Sequence, residues 1–219
     1  VMARGFGSTR AKDGEDVGSG TLFRLGSTTK MFVAATALTL VEEGRLDLDR
    51  PISSYVPELS SRLGRLTMQQ LLTHTGGMFD DTPMKGPSDD GALGRMVLGL
   101  KDDAIFLEPG RFFSYSNPGY WLAGYVIERV DGRPFADAVK ARVLDPVGMI
   151  HSTFRPEQAE RLPFARPHDG KRSELRPAPN HTGTWPSGSL FSSADEMARF
   201  LRALLDDGML DGRRVLAAN

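Results

Sequence analysis

The chain has 219 residues, a formal net charge of −1, 40% hydrophobic and 25% charged residues, and no cysteine. A chain of this length buries roughly 70% of its unfolded surface, so a full hydrophobic core is available. The composition excludes a disulfide framework, thiolate zinc sites and a cysteine nucleophile, and it contains no run of charge that would mark nucleic acid or an anionic membrane as partner.

In chain order, residues 1 to 9 read as a short strand broken by glycine, and Ala11 to Gly20 as a polar turn. Thr21 to Leu25 is extended and leads into Gly26-Ser27-Thr28-Thr29-Lys30. The run Met31 to Val41 is apolar on nearly every face and too short to span a bilayer, which predicts a helix buried in a core. Gly44 is placed to end it as a left-handed cap. Thr67-Met68-Gln69-Gln70 fits a capping box and opens a short helix through Leu72, closed by His74-Thr75-Gly76-Gly77. Phe79 to Ser88 is a loop. Leu93, Met96, Val97 and Leu100 give one helical face. Asn117 followed by Pro118 predicts an N-cap and first helical residue, with the helix running to Val130 and ending at Asp131-Gly132. A further helix is expected from Pro134 to Leu144, stopping before Asp145-Pro146. Asp169-Gly170 carries a hairpin-turn signal. Ser193 to Glu196 reads as a second capping box, opening a helix with Met197, Phe200, Leu201, Leu204 and Leu205 on one face.

The chemistry centres on Ser27 and Lys30. Lys30 lies about one turn into an apolar helix, at the positive end of its macrodipole, where a cation is disfavoured. Ser27 shares its face. A serine hydroxyl and an amine so placed are the materials of a nucleophile and its base, and burial would lower the lysine's pKa toward that task. The competing reading is a serine N-cap with a lysine that snorkels to solvent. Tyr115 reads either as a proton relay or as a core aromatic, and Asn117 as a contact for the lysine or the substrate amide, compatible with a capping role. His74, His151, His168 and His181 lack metal-ligand spacing, so no metal site is expected, and His74 reads as a capping or packing residue. There is no Gly-x-Ser-x-Gly elbow, phosphate loop or dinucleotide fingerprint.

Four segments occur in a set order: Phe23 to Lys30, Leu71 to Gly77, Tyr115-Ser116-Asn117-Pro118-Gly119-Tyr120 and Gly188 to Ser193. Together they resemble the serine β-lactamase and penicillin-binding-protein family, in its class C-like branch with DD-peptidases, D-aminopeptidases and esterases. The resemblance implies an α+β fold, an antiparallel sheet flanked by helices beside an all-helical lobe. It implies Ser27 as acylated nucleophile, Lys30 as first-motif lysine, Tyr115 as relay and Asn117 as substrate contact. The family's third motif is not found where it belongs; His74-Thr75-Gly76 and His181-Thr182-Gly183 stand too early. The chain is therefore expected to be one partial domain, 1–219, with an incomplete sheet. The function implied is acyl-enzyme hydrolysis of an amide, β-lactam or ester, as in β-lactamases, D-Ala-D-Ala carboxypeptidases and esterases. The rival is a penicillin-binding or sensor protein without turnover. No cofactor is implied. The expected partner is a small-molecule or peptide substrate, with no nucleic acid, no metal and no indicated membrane association. The resemblance leans toward a periplasmic or extracellular location, and a cytoplasmic one stays open.

Overall fold

The computed structural model describes residues 3–10, 13–83, 85–167 and 180–218. The hairpin signal at Asp169-Gly170 and His168 lie outside them. Residues 3–10 form no strand: the link is an isolated bridge between Ser8 and Asp16, because Gly7 turns the backbone to a φ of +84°. The first strand is β1, Phe23–Arg24, and a 3-10 turn, Gly26–Thr28, feeds helix α1, Thr29–Glu42. Gly44 ends α1 with a φ of +69°. Its N–H bonds Val41 O while Arg45 N–H bonds Leu40 O, so two carbonyls of the last turn are satisfied.

Helix α2, Met68–Leu72, has the full capping box, with Thr67 and Gln70 exchanging side-chain and backbone bonds. Helix α3 is Ala92–Leu98, and Leu100 folds back just beyond it. Helix α4, Asn117–Asp131, departs from the expectation at its start. The N-cap is Ser116, whose Oγ accepts from Gly119 N–H at 3.1 Å; Asn117 is the first helical residue and Pro118 the second. An asparagine whose amide is bonded elsewhere cannot also cap, and the neighbouring hydroxyl fills that role.

The helix expected to stop before Asp145-Pro146 instead continues. Helix α5, Phe135–Val139, passes into a π-turn, Lys140–Leu144, and then into α6, Asp145–Val147. The π-turn changes the hydrogen-bond register just where Pro146 supplies no N–H, so the ring is accommodated without ending the helix. Then follow α7, Pro156–Ala159, α8, Trp185–Gly188, strand β2, Phe191–Ser192, helix α9, Ala194–Leu205, and the hairpin of β3, Met209–Leu210, with β4, Arg213–Arg214. The second capping box is half made. Ser193 Oγ accepts from Glu196 N–H, but the Glu196 carboxylate accepts from His151 N–H and Ser152 Oγ instead. The face expected to bury on α9 is also shifted: Phe200 and Ala203 are buried, while Leu201, Leu204 and Leu205 are exposed.

The core is built around α4, which packs against α1, α2, α3, α5 and α8, and α9 adds Phe200 to it. Phe32, Val33, Ala37 and Leu40 of α1 are fully buried, as are Leu122, Val126 and Ile127 of α4. Each of these side chains except Ala37 contributes about 1.5–3 kcal/mol of transfer free energy. The Phe32 and Phe200 rings stack at 4.2 Å. The helix α1 is not buried all round: Met31 and Leu38, seven residues apart and so on one stripe, are exposed. β1 and β2 pair antiparallel, Phe23 with Ser192 and Arg24 with Phe191, and Thr153 bridges the other edge of Phe191. This pairing brings the start of α1 against the 187–190 segment.

Candidate active site

Ser27 lies in the 3-10 turn ahead of α1, where Gly26 takes a φ of +55° that turns the chain out of β1. Ser27 makes no cap bond and its side chain is exposed, and Lys30 is 7% exposed, so the cap-and-snorkel reading fails. Three residues apart, the two side chains meet: Lys30 Nζ donates to Ser27 Oγ at 3.2 Å.

Lys30 Nζ also donates to Asn117 Oδ1 at 2.8 Å and to Ser187 O at 2.6 Å. An ammonium carries three protons, and each finds an acceptor. Burial pushes the Lys30 pKa below its ordinary value, against the opposing pull of Tyr115 and the Asp80 carboxylate. The Lys30 charge sits 4.9 Å from the Tyr115 ring centroid and 5.2 Å from that of Tyr120.

The Tyr115 hydroxyl is 2.6 Å from Ser27 Oγ. Tyr120 is differently used. Its hydroxyl donates to Leu72 O at 2.9 Å, and burial, with Tyr115 adding to it, pushes its pKa up to about 12. Asn117 is held on three sides. Its N–H donates to Asp80 Oδ1 at 2.9 Å, its Nδ2 donates to Thr82 Oγ1 at 2.8 Å, and its Oδ1 faces Lys30. Because Thr82 takes the amide nitrogen, the oxygen is the end presented to the cation.

The structure thus brings all four residues named from the sequence into one hydrogen-bonded cluster. It adds groups that the sequence did not single out. Ser187 contributes a backbone carbonyl, fixed by its own Oγ, which accepts from Trp121 Nε1 at 3.1 Å and donates to Thr184 O at 2.9 Å. Arg24 Nε donates to the next carbonyl, Gly188 O, at 3.1 Å. Asp80 and Thr82 come from the loop that read as plain connection. Their signal was weak, two polar residues in a polar stretch. His181 is elsewhere: its Nδ1 accepts from Gly183 N–H within a 3-10 turn packed on α3. A cavity of about 420 Å³ lined by Thr9, Arg10, Glu160 and Arg166 includes none of the four. Among the described residues no group of three or more His, Cys, Asp or Glu is arranged to hold a metal, and no helix is long and apolar enough to cross a membrane.

A sequence model of the beta-lactamase family matches residues 1–219. The chain belongs to the beta-lactamase family. It is 31% identical to Penicillin-binding protein 4 of Amycolatopsis lactamdurans over 231 residues, covering 100% of this chain and 58% of that protein. It is 32% identical to Esterase EstB of Burkholderia gladioli over 246 residues, covering 93% of this chain and 62% of the esterase. The octameric penicillin-binding protein homologue from Pyrococcus abyssi superposes with a TM-score of 0.82 at 27% identity, over 99% of this chain and 51% of that one. The chain therefore spans a little over half the length of these relatives. The fold is that of the beta-lactamase family, as the resemblance implied, with helices around short antiparallel strands.

Proposed function

We propose that the protein is a serine hydrolase acting through an acyl-enzyme on a small-molecule or peptide substrate with an amide, β-lactam or ester carbonyl. The observation that carries this is the 2.6 Å contact of Ser27 Oγ with the Tyr115 hydroxyl beside the buried Lys30 amine. Ser27 Oγ forms a bond to the carbonyl carbon as its proton passes to the Tyr115 oxygen. Tyr115 hands its own hydroxyl proton to the leaving nitrogen or oxygen, which departs, and the acyl group stays on Ser27. Water then adds to the acyl carbon, giving a proton to Tyr115 while Tyr115 returns one to Ser27, and the free acid leaves. Lys30 stabilises negative charge developing on Ser27 and Tyr115. Its share in the proton transfers grows as burial brings its amine toward neutrality. The positive end of α1 favours the oxyanion. The relatives named penicillin-binding protein and esterase support both the acylation chemistry and the breadth of carbonyl classes.

The test is labelling of the intact protein with a fluorophosphonate and a fluorescent penicillin. Ser27→Ala should abolish both labels; labelling that survives at the parent level sinks the assignment. Intact-mass spectra over time distinguish an adduct that is hydrolysed from one that persists, the latter marking a binding or sensor protein. A chromogenic cephalosporin and a p-nitrophenyl ester, assayed side by side, assign the carbonyl class.

A further inference from the structure

We infer that His74 is a positioning residue that holds the Tyr115 hydroxyl against Ser27, an inference that rests on the relay role proposed for Tyr115. His74 engages three successive residues. Its carbonyl accepts from Ser114 N–H at 2.8 Å. Its ring stacks on Tyr115 with centroids 4.4 Å apart and 30° between planes. Its Nδ1 accepts from Ser116 N–H at 3.1 Å. The residues before, at and after the relay are therefore gripped by one side chain and its own backbone. Ser116 is in turn tied down, since its Oγ caps α4 and donates to Phe79 O at 2.8 Å.

His74 adopts a φ of +58°, a left-handed conformation that non-glycine residues enter at an energetic penalty. Such strain persists only where the surroundings over-determine it, and here the bonds to Ser114 and Ser116 are both made from this turn. Packing alone would require only the ring. The acceptor at Nδ1 adds a chemical demand: His74 must be neutral, with its proton on Nε2. A protonated ring would set an Nδ1–H against the Ser116 N–H, two donors facing each other. The groups around it are Lys30, which disfavours the charged ring, Asp80, which favours it, and the hydroxyl-bearing rings of Tyr115 and Tyr120. Phe113 closes the edge at 5.7 Å. Burial, with Lys30 adding to it, holds the His74 pKa below its ordinary value, so the grip is kept at neutral pH and released on acidification.

Two variants of the intact protein separate the acceptor from the ring. His74→Phe keeps a ring and loses the acceptor. His74→Asn tolerates the left-handed backbone and places an amide oxygen one bond from Cγ, where Nδ1 stood, but it cannot titrate. Fluorophosphonate labelling of Ser27 should slow about 10–100-fold in His74→Phe, the range expected when a catalytic group is misplaced by about 1 Å. In His74→Asn it should stay within about threefold of the parent and lose less rate than the parent between pH 7.5 and pH 5.5. Crystal structures should show the 2.6 Å contact between Tyr115 and Ser27 in the parent and its loss in His74→Phe. Parent-rate labelling of His74→Phe with that contact intact overturns the inference, as does equal slowing of both variants. If the parent itself is not labelled, the proposed hydrolase falls, and the two crystal structures still decide whether His74 holds Tyr115. If His74→Phe does not fold, the acid response of His74→Asn decides: a fall as steep as the parent's counts against the grip.

Discussion

Lys30 is a cation placed where a helix N-terminus repels one, and three acceptors, the neighbouring Ser27 and two from distant segments, hold it there. Its folded pKa lies below the unfolded value. The unfolded chain binds the proton more readily, so this group's contribution to stability is present above the unfolded pKa and is lost as the pH falls through the folded one. At neutral pH the buried charge opposes folding, while its hydrogen bonds favour it. Lys30→Met should therefore melt within about 4 °C of the parent, the shift of roughly 1 kcal/mol in a chain of this size, yet lose Ser27 labelling. Thermal scans beside labelling rates check this. Tyr115→Phe removes only a hydroxyl at the rim of the site. It should slow acylation by about 10²–10⁴-fold, as expected for loss of a proton-transfer group, with the melting temperature unchanged. A rate within threefold of the parent would remove Tyr115 from the relay.

At the scale of elements, the start of α4 divides labour between neighbours. Ser116 caps and Asn117 serves Lys30. Ser116→Ala should cost about 1–2 kcal/mol, the usual loss for a missing cap, and lower the melting temperature by about 3–6 °C. Asn117→Ala should leave the cap intact and depress labelling more than stability. The opposite ranking would restore Asn117 as the cap. This start also shows what a sequence discloses. Ser27, Lys30, Tyr115 and Asn117 were legible because each puts its chemistry in a side chain within a short ordered motif. Ser187 was not, because it acts through a main-chain carbonyl, which every residue has. The N-cap falls on Ser116 rather than Asn117 because serine and asparagine cap about equally well, and only the hydrogen bond from Lys30 to Asn117 decides between them. The π-turn at Lys140–Leu144 was missed for a similar reason: a proline ends a helix by local rules, and the register change that admits it comes from packing. The apolar run of α1 was read as buried all round, since composition cannot say which stripe faces neighbours.

At the scale of the molecule, Arg142 ties the C-terminal ends of α1 and α4 together. Its guanidinium bonds both oxygens of Glu43, at 2.9 and 3.1 Å, and the fully buried Asp131 carboxylate. Burial pushes the Asp131 pKa up, but the bonds from Arg133 and Arg142 outweigh it and hold it low. A lowered carboxylate stabilises above its unfolded pKa, and that stability is lost as the pH falls through the folded value. Arg142→Leu should cost about 3 kcal/mol by leaving Asp131 under-compensated, and move the acid unfolding midpoint to higher pH. An unchanged acid midpoint would show that Arg133 suffices. The same long-range stitching defines the site. Ser27 meets Tyr115 across 88 residues, Lys30 meets Asn117 across 87, and Lys30 meets Ser187 across 157. Closing such spans is slow, because their entropy must be lost before the contacts reward it. On the proposed mechanism, reactivity at Ser27 is then a late product of folding. A growing chain that has not yet supplied Ser187 carries the serine without its fully anchored lysine, and in refolding the capacity to be labelled should rise only with the slowest phase, as Trp121 and Trp185 become buried. On the proposed mechanism, the serine is armed only when these distant segments have met.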